Sequence, residues 1–232
     1  MAETVRQAEN RVFIDGILSE VKLDPDSYER NGEKFNVLRG TITLKVNQEI
    51  GGEMVDLEIP LSVWARSKTS SYDTVENVYT KFISIADGQG VANATRVRIG
   101  GANIEQNEYY NRQGNLVSFP RIRASFFQEI SSADFQPKAE FSIVIYIDSM
   151  RDEVDNEGNL TGRMAIKGVC PLYNNKVAVL EFVVDNPKTI AELQVNWRPG
   201  DTVKAVGKLN FTNKVVVETE EIGDFGEAVE LT

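Results

Sequence analysis

The side chains of this sequence best suited to do chemistry lie between Arg96 and Phe127, RVRIGGANIEQNEYYNRQGNLVSFPRIRASFF. Five arginines (Arg96, Arg98, Arg112, Arg121, Arg123) stand there against two acids, Glu105 and Glu108, a local net charge of +3 in a chain whose total is −10. The arginines alternate with apolar residues in Arg96-Val97-Arg98-Ile99 and again in Arg121-Ile122-Arg123-Ala124, so a period of two places guanidinium groups on one face and apolar groups on the other. Between these arms sit Tyr109, Tyr110, Asn111, Arg112, Gln113, Gly114 and Asn115, two adjacent rings beside a cation and turn-forming residues. Guanidinium groups neutralise phosphates and flat rings stack on bases, which is the chemistry this mixture serves. A second set has the same character: Trp64, Arg66 and Lys68 follow one another at steps of two on the polar parity of a strand, and Arg39 occupies the polar parity of the strand before it.

Composition narrows the classes. Histidine is absent, which removes the commonest general base and the commonest zinc ligand. The single cysteine, Cys170, excludes an internal disulfide, and its parity with Met164, Ile166 and Gly168 predicts a buried apolar role. No phosphate loop or dinucleotide fingerprint occurs, and the acidic stretch Asp152, Glu153, Asp155, Glu157 lacks the ordered spacing of a calcium loop. Neither a cofactor nor a metal is expected, and the chain is read as non-enzymatic. The lead-in MAETVRQAEN has no apolar core, no run approaches membrane-helix length, and the expected location is the cytoplasm, the host cytoplasm if the chain is viral.

The elements that must position these groups are predominantly β. Val12 to Leu23 reads as a strand with Gly16 at a bend, Asp24 to Glu33 as a loop, and Phe35 to Gln48 as a strand whose polar parity includes Val37 and Arg39. A third strand buries Val55, Leu57, Ile59, Leu61, Val63 and Ala65. The period then changes, and Val75, Val78, Tyr79, Phe82 and Ile83 predict an amphipathic helix over Thr74 to Ala86, followed by the basic hairpin. After residues 130–134 the grammar restarts, with strands at Phe141 to Met150, Leu160 to Leu172 and Lys176 to Asp185, a helix beginning at Asn186-Pro187, and strands at Asp201 to Phe211 and Val215 to Glu218. From Glu218 to the end there are six acids and no base.

Three strands, a helix and two strands, with a bent first strand, resemble the OB-fold, a five-stranded Greek-key barrel whose strand 2–3 face and loops bind oligonucleotides or oligosaccharides. The expected fold is therefore mainly β: two tandem OB-fold-like five-stranded barrels, each with one short helix, plus an extended β-hairpin and an acidic C-terminal tail. The expected boundaries are 11–132 for the first domain with its hairpin at 96–127, 138–217 for the second, and 218–232 for the tail.

With its element order, basic hairpin and acidic tail, the chain resembles a phage-type single-stranded DNA-binding protein with tandem OB-folds. That resemblance implies a protein that coats single-stranded DNA with little sequence specificity during replication, recombination or repair, with replication or recombination proteins as partners of the tail. The closing residues Glu227-Ala228-Val229-Glu230-Leu231-Thr232 depart from the Asp-rich, Pro-Phe ending of bacterial relatives. The candidate nucleic-acid-binding residues are Arg39, Trp64, Arg66, Lys68, Arg96, Arg98, Tyr109, Tyr110, Arg112, Arg121 and Arg123. Two alternatives stay open: a viral structural or assembly protein built of two β-barrels with the hairpin as an interlocking arm, and a carbohydrate-binding β protein using the same rings.

Overall fold

The computed structural model describes residues 8–210. The first half contains β1 (Asn10–Arg30), β2 (Glu33–Ile50), β3 (Glu53–Arg66), α1 (Ser70–Thr80), β4 (Arg96–Tyr110) and β5 (Leu116–Glu129). These strands close a five-stranded barrel: β1 pairs with β2 and β4, β2 with β3, β4 with β5, and a parallel contact at Leu61↔Ile122 and Ser62↔Arg123 joins β3 to β5. The buried parity of β3 follows the sequence, with Leu57, Ile59, Leu61, Val63 and Ala65 facing the core. β1 changes partners along its length. Residues 10–15 pair with the strand that opens the second half, and from Ile17 onward the chain pairs with β2. At the exchange, a Cβ on Gly16 would meet Leu44, Lys45 O and Val46 at 3.0 Å, so the close fold-over favours a residue without one.

Three expectations are corrected here. Asp24 to Glu33 is not a loop: β1 and β2 continue as a paired hairpin to Arg30↔Glu33, turned by Asn31 and Gly32 at φ 56° and 76°. Two successive positive φ values suit the right-handed twist of a tight hairpin, and Asn-Gly supplies both at low cost. The helix lies earlier than Thr74 to Ala86, because Thr69 caps it by accepting a hydrogen bond from Tyr72 N at 3.3 Å. It ends at Thr80, after which Ile85 N donates to Leu18 O and Thr95 N to Ile83 O, both at 2.9 Å. Those contacts with the barrel replace another helical turn and leave Tyr79 and Ile83 exposed. Finally, Val37 is buried rather than solvent-facing, and Phe35 on the same strand is buried as well. Phe35 stacks on Tyr28 with ring centroids 5.6 Å apart.

The second half contains β6 (Lys138–Val154), β7 (Leu160–Pro171), β8 (Val177–Val184), α2 (Pro187–Asn196) and β9 (Thr202–Lys208). Its pairings, β6 with β7, β7 with β8 and β6 with β9, repeat those of β1 with β2, β2 with β3 and β1 with β4. Asn186 caps α2 through bonds from Lys188 N and Thr189 N, with Pro187 in the first turn as expected. The strand expected at Val215 to Glu218 and the acidic tail lie outside the described residues. Both halves share one sheet through β1 and β6. Gln48, only 5% exposed, fastens them: its amide accepts from Ala139 N at 2.8 Å and donates to Ala139 O and Leu209 O at 3.3 and 3.0 Å. A buried amide is tolerated when it is hydrogen-bonded in this way.

Candidate nucleic-acid interface

The outer surface of β2, β3 and β5 carries a groove of about 490 Å³ lined by Asp24, Arg39, Gly40, Ser62, Val63, Trp64, Arg121 and Arg123. Register explains the convergence. Arg39 lies opposite Trp64 across β2 and β3, and Ser62 lies opposite Arg123 across β3 and β5, so alternation sends all of these side chains outward while Val63 and Ile122 enter the core. Trp64 is 48% exposed, which leaves a large ring face available beside three guanidinium groups. The groove needs Gly40: its φ is 144°, and an added Cβ would lie 2.0 Å from Lys22 O, so β1 and β2 approach closely there.

Two further clusters flank the groove. Two residues beyond Trp64 on β3, Arg66 places its guanidinium 4.9 Å from the centroid of Phe35, and Lys68 places its ammonium 5.3 Å from the same ring. Lys68 is also ion-paired with Glu33. In the other direction, the hairpin of β4 and β5 stays paired as far as Tyr110↔Leu116. Its tip lies six residues before Ile122, an arm of roughly 20 Å. Tyr109 and Tyr110, expected in the connecting loop, are the last residues of β4, 50% and 74% exposed. Asn111 orders the loop itself, its Oδ1 accepting from Gln113 N at 2.9 Å and Asn115 N at 3.0 Å, and Arg112 within it is exposed.

Arg96 and Arg98 do not join these clusters. They lie at the start of β4, opposite Ile17 and Asp15 of β1. Arg98 donates from Nε and Nη2 to the carboxylate of Asp15, at 2.9 and 2.7 Å, and Asp15 is 2% exposed. Those hydrogen bonds, reinforced by the Asp15 charge, raise the guanidinium pKa above its ordinary value. Arg98 thus neutralises a buried acid, and Arg96 covers the Phe135 ring at 5.7 Å.

Several residues that matter to the groove were not singled out by sequence. Glu105 reaches both Arg121 at 3.6 Å and Arg123 at 3.3 Å, while Asp26 reaches Arg39 at 3.1 Å. Arg121 Nε is buried without a hydrogen-bond partner. Only the Asn31-Gly32 dipeptide in the sequence could have revealed the first hairpin that brings Asp26 and Glu33 to this face. Several cations on strands of the second half are engaged with the protein itself: Arg163 with Glu153 and Lys167 with Asp148 within that half, and Lys204 with Glu9 and Lys208 with Glu49 O of the first half. Burial pushes the Cys170 thiol up to about 11, as suits an apolar core residue. Among the described residues no three potential metal ligands cluster, and no helix is long and apolar enough to cross a membrane.

The sequence matches the YorF family over residues 8–232. The chain belongs to the YorF family. No curated protein matches it. Among solved structures, this YorF-family chain is similar to the wild-type single-stranded DNA binding protein from Thermus aquaticus, with a TM-score of 0.50 and 14% identity over 88% of this chain and 85% of the other. It is similar also to a deletion mutant of that protein carrying an arginine-to-alanine substitution, with a TM-score of 0.50 and 13% identity over 87% and 86%. At such identities the likeness is one of fold, and the YorF-family chain has the mainly β, OB-fold-like architecture expected from its element order.

Proposed function

We propose that this YorF-family protein is a non-catalytic single-stranded DNA-binding protein that coats the strand with little sequence preference. The observation that carries the reading is Trp64, half-exposed in a groove with Arg39, Arg121 and Arg123 and flanked by two hairpins. Phosphates would meet the arginines while bases stack on Trp64 and on Tyr109 and Tyr110 along the arm. A strand without a complement presents both its backbone and its ring faces, whereas a duplex hides the rings. The fold likeness to single-stranded DNA binding proteins of Thermus aquaticus supports the same reading. Within this proposal, residues 11–132 and 138–217 act as tandem units in the cytoplasm, of the host if the protein is phage-borne. Residues 218–232 contact replication or recombination proteins, and the DNA is that exposed in replication, recombination or repair.

The test is fluorescence anisotropy of a labelled mixed-sequence oligonucleotide of about 30 nucleotides at low and moderate salt, with duplex as competitor. Salt-sensitive binding that equimolar duplex does not displace is expected. Failure to bind at low salt, including after removal of residues 218–232, overturns the proposal, and self-association without ligand would then favour the assembly role.

A further inference from the structure

Four cations of the binding face already have carboxylate partners in the free protein. Arg39 pairs with Asp26 at 3.1 Å, Lys68 with Glu33, and Arg121 and Arg123 share Glu105 at 3.6 and 3.3 Å. Arg66 lies over Phe35 instead. Counting Asp24, which lines the groove opposite Arg39, five cations meet four carboxylates, and the face is nearly neutral. The acids come from the two hairpins that flank the groove: Asp24, Asp26 and Glu33 from the hairpin of β1 and β2, Glu105 from β4.

These pairs are at least partly exposed: the Asp26 and Glu33 side chains are 49% and 54% exposed, and that of Glu105 is 25% exposed. Exposed pairs hold weakly and exchange readily, so a phosphate can replace a carboxylate. The exchange swaps one anion for another, however, and yields little net attraction for a ligand that offers phosphates alone. A ligand that also stacks on the exposed Trp64 ring has a source of affinity that the carboxylates do not oppose.

We propose that Asp26, Glu33 and Glu105 are specificity determinants: resident counter-anions that suppress binding of phosphate-only polyanions, duplex DNA among them, and leave single strands favoured through stacking. This rests on the single-strand reading above and adds the residues that discriminate within it.

The test compares the wild-type chain with the triple variant Asp26→Asn, Glu33→Gln, Glu105→Gln and with Glu105→Gln alone, using a single strand of about 30 nucleotides, a duplex of the same sequence, and inorganic polyphosphate. The triple variant is expected to bind duplex and polyphosphate at least about tenfold more tightly, with a salt slope for duplex steeper by up to about three units, one for each negative charge removed. The single strand gains less, so the preference over duplex shrinks. Glu105→Gln alone moves in the same direction with about a third of the change in slope, because it removes one of the three negative charges, the one that Arg121 and Arg123 share. Circular dichroism melting establishes that each variant is folded, and if the triple variant is not, Glu105→Gln decides. Unchanged duplex and polyphosphate binding, an unchanged slope, or weaker binding in the folded variants overturns the proposal. A wild-type chain that ignores single strands defeats the parent reading instead, and the polyphosphate comparison still reports on the carboxylates.

Discussion

Two hairpins leave the same barrel, and they are built for opposite ends. The arm of β1 and β2 is acidic, carrying Asp24, Asp26, Glu29 and Glu33 against Arg30 and Lys34, and it closes in a two-residue Asn31-Gly32 turn. Its rings are engaged with the protein itself: Tyr28 stacks on Phe35, which Arg66 and Lys68 approach as well. The arm of β4 and β5 balances Glu105 and Glu108 with Arg112 and Arg121, closes through a loop organised by Asn111, and leaves its rings largely open. Tyr109 meets Phe119 edge-on at 6.4 Å, and Tyr110 is 74% exposed. Ring surface already covered contributes to stability, while ring surface left in water is available to a ligand. Under the proposed function, the first arm would therefore supply counter-charge, and the second, with Trp64, would supply stacking surface.

The largest effect is expected where the first arm departs from the barrel. Gly40→Ala drives a Cβ to 2.0 Å from Lys22 O at a φ of 144°. Neither backbone can yield without breaking the pairing of β1 and β2, and the cost should exceed about 4 kcal/mol. Urea denaturation would show a sharply lowered midpoint or a chain that no longer folds. A midpoint like that of the wild type would mean that the strands do not approach as described.

Stacking gives the next largest difference between the arms. Trp64→Ala and Tyr110→Ala should each weaken single-strand binding by about 1–3 kcal/mol, roughly fivefold to a hundredfold, with little change in salt slope. Tyr28→Ala should change affinity by less than about twofold and instead lower stability by about 1 kcal/mol or more, because its ring stacks internally. Anisotropy paired with thermal melting separates the two results. If Tyr28→Ala costs as much affinity as Tyr110→Ala, the division between the arms is wrong.

That division was only partly legible in the sequence. The alternation along β3 was, because a strand with one buried face must keep its period, and so were the outward Trp64 and the alternating Arg121 and Arg123. The hairpin of β1 and β2 was obscured by the polar run from Asp24 to Glu33, whose composition is that of a loop although its pairing continues to the turn. Polarity there reflects solvent on both faces, and Asn31-Gly32 was the local sign of a turn. Pairing of Glu105 with two arginines 16 and 18 positions away depends on the hairpin register, which strand alternation does not specify. The same holds for Arg98, whose place in an alternating basic arm is shared with Arg123 but whose neighbour is the buried Asp15.

The smallest effect distinguishes those two kinds of arginine. Arg121→Ala removes a groove cation and should reduce the salt slope for a single strand by about 0.7 unit, equivalent to one phosphate contact. Arg98→Ala should leave the slope unchanged when binding is measured on the folded variant. Its consequence is structural: Asp15 keeps its buried carboxylate and loses the guanidinium that neutralises it, so the melting temperature falls. Conversely, Asp15→Asn should leave the slope near the wild-type value, since freeing Arg98 adds a cation on the β1 and β4 side of the barrel rather than in the groove. A slope that rises with Asp15→Asn, or falls with Arg98→Ala, would mean that the strand continues around the barrel onto β4, and the binding face would have to be extended from Arg121 and Arg123 to Arg98 and Arg96.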